Sequence, residues 1–76
     1  MSYSVNLQLI RQLRLENNLT MEEMANHLGL KSKSDYFKRE NGDTNFKSTE
    51  LPILATVLHE PVDSFFKKNV SKIETN

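Results

Sequence analysis

At 76 residues the chain has room for one small domain, near the lower limit for a self-sufficient apolar core, and with no cysteine it has neither a disulfide framework nor thiolate chemistry. Ten Lys and Arg balance ten Asp and Glu, so net charge argues neither for nor against a nucleic-acid partner. No apolar run approaches a membrane span, and the opening MSYSVNLQL lacks a charged-then-apolar leader, so the expected location is the cytoplasm, with no membrane partner.

The expected elements, in chain order, are all helical. A first helix over 5–17 carries Ile10 and Leu13 on one face, widened by Leu9, and Asn17-Asn18 closes it because asparagine tolerates the left-handed conformation. Thr20-Met21-Glu22-Glu23 then forms a capping box, with the threonine hydroxyl on the N–H three residues on and Glu23 reaching back to the cap. Behind it Met21, Met24, Ala25 and Leu28 repeat at i, i+3, i+4 and i+7, and Gly29 stops the helix. A third helix starts at Lys33 or Ser34 and ends at Glu40, with Asn41-Gly42 as its stop; Tyr36 and Phe37 supply its apolar surface.

Residues 43–47 read as a loop, and Ser48 as the cap of a fourth helix, whose stripe is Leu51, Leu54, Ala55 and Leu58. Pro52 is tolerated there because first-turn N–H groups have no partner within a helix. His59-Glu60-Pro61 breaks the pattern, and 62–68 reads as a fifth short helix holding Phe65 and Phe66. The expectation is therefore an all-α, compact five-helix domain over 1–68, followed by a polar, frayed tail over 69–76.

Charge placement says more than its sum. Lys31, Lys33, Lys38 and Arg39 face the single acid Asp35 between positions 31 and 39, so the third helix and the turn before it are locally basic. A capped helix, a glycine turn and a second short cationic helix form the grammar of a helix-turn-helix, whose second helix enters the major groove of DNA. Lys33, Ser34 and Lys38 are the candidate base readers, since lysine donates to guanine and serine to several edges. Candidates for phosphate contact are Lys31, Thr20, Asn41, Thr44, Asn45 and Lys47. Taken singly, each is an ordinary solvated side chain; only their clustering points to DNA.

Other chemistry finds little support. His27 and His59 have no cysteine and no spaced carboxylate partner, which is not a metal-site pattern. Gly29 and Gly42 are the only glycines, so there is no phosphate-cradling loop, and nothing assembles a catalytic triad. No cofactor, metal or small-molecule substrate is expected, and the chain does not read as an enzyme.

The pieces IRQLR, LTMEEMANHLGL, RENG and LPILATVL, with PVDSFF after two intervening residues, occur in that order. They resemble the phage-repressor and Cro type of helix-turn-helix over most of the chain. The resemblance implies a five-helix bundle that regulates transcription on double-stranded DNA, as a repressor of bacterial or phage origin. It also implies that Arg14 pairs with Glu40, tying the first helix to the recognition helix as a structural brace. Phe65, Phe66 and Val70 close the core or carry a homodimer contact, and a dimer would place two recognition helices about 34 Å apart.

Three departures stand out against that family. Met21 replaces the glutamine that contacts a phosphate, and one extra residue lies between Gly29 and Glu40. Arg39 stands where an apolar residue is usual, while Phe37 stands where a small polar one is usual. Phe37 either fills the missing anchor after a small rotation, or points outward to a thymine methyl or another protein. The last option supports an alternative: an antirepressor or protein-binding module on this scaffold that inactivates a partner repressor, with Phe37, Phe65 and Phe66 at its interface.

Overall fold

The computed structural model describes residues 2–69. It contains β1 (Ser2–Val5), α1 (Leu7–Glu16), α2 (Met21–Leu28), α3 (Lys33–Asn41), α4 (Leu51–Leu58), a 3₁₀ turn (Val62–Phe65) and β2 (Phe66–Asn69). The tail expected over 69–76 lies outside the described residues beyond Asn69.

Local chemistry explains the helix ends. Asn6 caps α1, its side chain accepting from the Leu9 N–H at 3.2 Å, so that helix starts later than position 5. Thr20 and Glu23 make both arms of the capping box of α2, at 3.0 and 2.8 Å. That geometry holds the exposed Glu23 carboxyl below the usual carboxylate range, chiefly through its bond from the Thr20 backbone N–H. Gly29 and Gly42 end α2 and α3 with φ of 70° and 91°, where a side chain would be strained. At Gly42 an added Cβ would also meet Leu7 Cδ1 at 3.3 Å. His59 takes the same left-handed conformation after α4, with φ 59° and no glycine to ease it.

Three expectations need correction. The bundle has four α-helices, not five, and it is not purely helical. Beyond Pro61 the chain makes only a 3₁₀ turn and then extends, and β2 pairs antiparallel with β1 from Val5↔Phe66 to Ser2↔Asn69. A ladder between segments so far apart in sequence has no local signature, whereas Val62, Phe65 and Phe66 imitate helical spacing. The Asn6 N–H donates to the Phe65 carbonyl at 2.6 Å, joining the start of α1 to the root of the sheet. Ser48 is likewise not the cap of α4: Glu50 holds that position, without a side-chain capping bond.

The core gathers Ile10 from α1, Met24, Ala25 and Leu28 from α2, Tyr36 from α3, Leu51, Leu54 and Leu58 from α4, and Phe65. Met21 is half-buried, so the predicted stripe on α2 is complete only from Met24 onward. Phe46, inside the segment expected to be a plain loop, joins the core and meets the Tyr36 ring edge-on, with centroids 6.1 Å apart.

Candidate nucleic-acid interface

Helix α3 is capped by Ser32, whose hydroxyl accepts from the Asp35 N–H at 3.4 Å, and packs most extensively against α2. Its inner face is Tyr36, Arg39 and Glu40, all buried. Two of those are charged, and each is paired. Arg14 of α1 grips Glu40 with two parallel bonds, Nε to Oε2 at 2.9 Å and Nη2 to Oε1 at 3.1 Å. Its third nitrogen donates to the Leu19 carbonyl at 2.9 Å, and the Tyr36 hydroxyl donates to Glu40 Oε2 at 2.7 Å. Such a fork fixes direction as well as distance.

The electrostatics follow from this geometry. The hydrogen bond to Glu40 raises the Arg14 guanidinium above its ordinary value, outweighing burial, which acts the other way. Burial pushes the Tyr36 hydroxyl far above its usual range, and its donation to Glu40 adds to that.

Arg39, on the neighbouring turn, donates Nε to Glu50 Oε1 at 2.9 Å and Nη1 to its own helix at the Asp35 carbonyl, 3.2 Å. The same Glu50 oxygen accepts the Lys47 backbone N–H at 2.9 Å. Thus Arg39 neither faces DNA nor leaves a hole in the core. It ties α3 to the segment that leads into α4, a role for which the sequence offered no visible partner.

The outer face of α3 carries Lys33, Ser34, Phe37, Lys38 and Asn41, all exposed, with Phe37 at 47% exposure. Of the two placements open to Phe37, the structure takes the outward one. An open groove of about 530 Å³ separates the start of α2 from α3, lined by Thr20, Met21, Glu22, Lys33, Ser34 and Phe37. A smaller hollow of about 100 Å³ adjoins it, lined by Arg11, Met21, Phe37, Glu40 and Asn41. Met21 and Phe37 therefore border both depressions.

The other candidates are more dispersed. Lys31 is exposed in the bend between α2 and α3, and Lys47 is exposed ahead of α4. Asn41 donates from Nδ2 to Asp43 Oδ2 at 3.1 Å, and the Lys38 carbonyl accepts from the Asp43 and Thr44 N–H groups. Thr44 and Asn45 line a separate hollow beside Ser4, Val5 and Phe66 of the sheet. Phe65 is fully buried and offers no surface, while Phe66 is 39% exposed. Among the described residues, Arg11, Lys31, Lys33, Lys38 and Lys47 form no salt bridge. Arg11 was not among the sequence candidates, although its place one turn before Arg14 puts it on the side of α1 that meets α3.

The sequence profile of the helix-turn-helix family matches residues 10–65. The chain belongs to the helix-turn-helix family. In this helix-turn-helix domain α2 and α3 are the paired helices and 29–32 the turn, and the groove described above opens between them. Members of the family are DNA-binding transcription regulators and generally not enzymes. No curated protein sequence matches the chain. Among the described residues no helix is long and apolar enough to cross a membrane, and no group of three His, Cys, Asp or Glu could hold a metal.

Proposed function

We propose that this protein is a sequence-specific regulator that inserts α3 into the major groove of operator DNA and represses by occupying a promoter. The observation that carries the reading is the outer face of α3. Lys33, Ser34 and Lys38 are exposed there with side chains that have no intramolecular partner among the described residues, on a helix whose inner face is fixed by two buried ion pairs. Such a helix can reach base edges, while Lys31, Thr20, Asn41, Thr44 and Lys47 grip phosphates to either side. Binding as a homodimer would require a palindromic site with half-sites about 34 Å apart.

Selection of duplexes from a random pool, followed by salt titration of the winners, tests this directly. A palindromic site with a steep salt slope is the expected result. Lys33→Ala and Lys38→Ala should each weaken binding; unchanged affinity in both variants would remove α3 as the reading helix. A lysine that touches phosphate rather than a base should lower the slope by about one unit without changing site preference.

One observation favours a second reading, an antirepressor that docks on a partner repressor. Phe37 is 47% exposed on a chain of zero net charge. Phe37→Ser separates the two. Under the first reading the variant retains DNA binding, with reduced affinity; under the second it loses a partner repressor, and the parent protein selects no duplex.

A further inference from the structure

We infer that Phe37, with Met21 beside it, reads thymine C5-methyl groups in the major groove. The inference rests on α3 being the groove-entering helix and adds what its central residue recognises. Phe37 lies midway along α3, with Lys33 and Ser34 one turn before it and Asn41 one turn after. That strip presents an ammonium, a hydroxyl, an aromatic ring and an amide along a single helix face.

The floor of a DNA major groove offers donors, acceptors and a single apolar group, the thymine methyl. Any other base edge would lose water against the Phe37 ring and gain no bond in return. Met21 borders the same two depressions, so their apolar lining comes from α2 as well as α3 and not from a lone ring. Charge decides between DNA and an apolar protein surface as occupant. Arg11 and Lys33 line those depressions, Lys38 follows Phe37 directly, and none of the three has a salt-bridge partner among the described residues. That is the setting for a polyanion. Glu22 also lines the larger depression, and its carboxylate disfavours a phosphate there, which leaves that space to a base edge.

The test replaces each thymine of the selected duplex in turn by deoxyuridine, which removes the methyl and keeps every donor and acceptor. Losing one methyl contact should weaken binding about fourfold at one or two positions in each half-site. Phe37→Ala should bind thymine and deoxyuridine duplexes equally at those positions, and Phe37→Leu should retain part of the difference. Lys38→Ala should bind both duplexes more weakly while preserving their ratio. Circular dichroism and thermal melting confirm that each variant is folded before it is scored. Deoxyuridine without effect at every position, or discrimination surviving in Phe37→Ala, overturns the inference and leaves DNA reading intact. Failure to select any preferred duplex overturns the DNA reading itself, and the methyl contact with it, in favour of a protein partner.

Discussion

On its inner face α3 buries Tyr36, Arg39 and Glu40; on its outer face it leaves Phe37 exposed between Lys33, Ser34 and Asn41. Two charges, each with a partner, are inside, and an aromatic ring is outside, beside lysines that have no salt bridge among the described residues. Burial here follows partners and not hydrophobicity: a carboxylate gripped by a guanidinium fork and a phenol hydroxyl can sit in a core, whereas an unpaired one cannot. Directional bonds also set something that apolar contact leaves loose, the roll of the helix about its own axis. With Glu40 held from α1 and Arg39 held by Glu50, the outer side chains are presented at fixed angles.

The contrast is broken most severely through Glu40. Glu40→Ala leaves the Arg14 charge and the Tyr36 hydroxyl without their acceptor and should cost about 3–5 kcal/mol, read as a lowered urea midpoint. Should the loss be under about 1 kcal/mol, the pair is no more than a surface contact.

The Arg39 pair should show that the partner matters more than the charge. Arg39→Ala should cost about 3 kcal/mol, because Glu50 is left buried without its cation. The double variant Arg39→Leu/Glu50→Gln restores an apolar side chain and retains an acceptor for the Lys47 N–H, and it should return to within about 1 kcal/mol of the parent. Equal losses in the single and double variants would contradict the pairing.

Tyr36 sharpens the comparison through alkaline pH. Its folded-state value is raised above the ordinary tyrosine value near 10, chiefly by burial. Its contribution to stability is therefore complete below pH 10 and declines above it, by about 1.4 kcal/mol per pH unit while only the unfolded chain ionises. Absorbance at the phenolate band should show Tyr36 titrating only as the protein unfolds, and Tyr36→Phe should flatten the alkaline decline. The smallest effect belongs to the outer face. Phe37→Ser should change stability by less than about 0.5 kcal/mol, as for other exposed positions, while it changes what the surface binds.

Much of this was legible from local chemistry. The capping box at Thr20 and Glu23, the left-handed stops at Gly29 and Gly42, and the leucines of α2 and α4 are short-range signals; the helices they mark are present, although α4 starts at Leu51 rather than after a Ser48 cap and Met21 is only half-buried. What escaped is what depends on distance along the chain. The partner of Arg39 is 11 residues away across a turn, and β1 and β2 exist only because the two ends of the domain meet. Phe46 reads as a loop residue until Tyr36 is placed beside it. The Arg14–Glu40 contact spans 26 residues, and no pattern of spacing discloses it; family resemblance suggested it. For the candidate interface, composition marked the cations of α3, but not the groove that Met21 and Phe37 border.

The β1–β2 pairing has a mechanical consequence. Ser2 faces Asn69 at the outer end of the ladder, and Val5 faces Phe66 at the end nearest the helices. A pull applied at residues 2 and 69 therefore acts across the strands and not along them. It meets one residue pair at a time, as a zip does, and reaches the helical core only after Val5 and Phe66 have parted. The domain should yield at its clasp under low force while α1 to α4 remain folded, so a tether on either end would strain the sheet well before it disturbed α3.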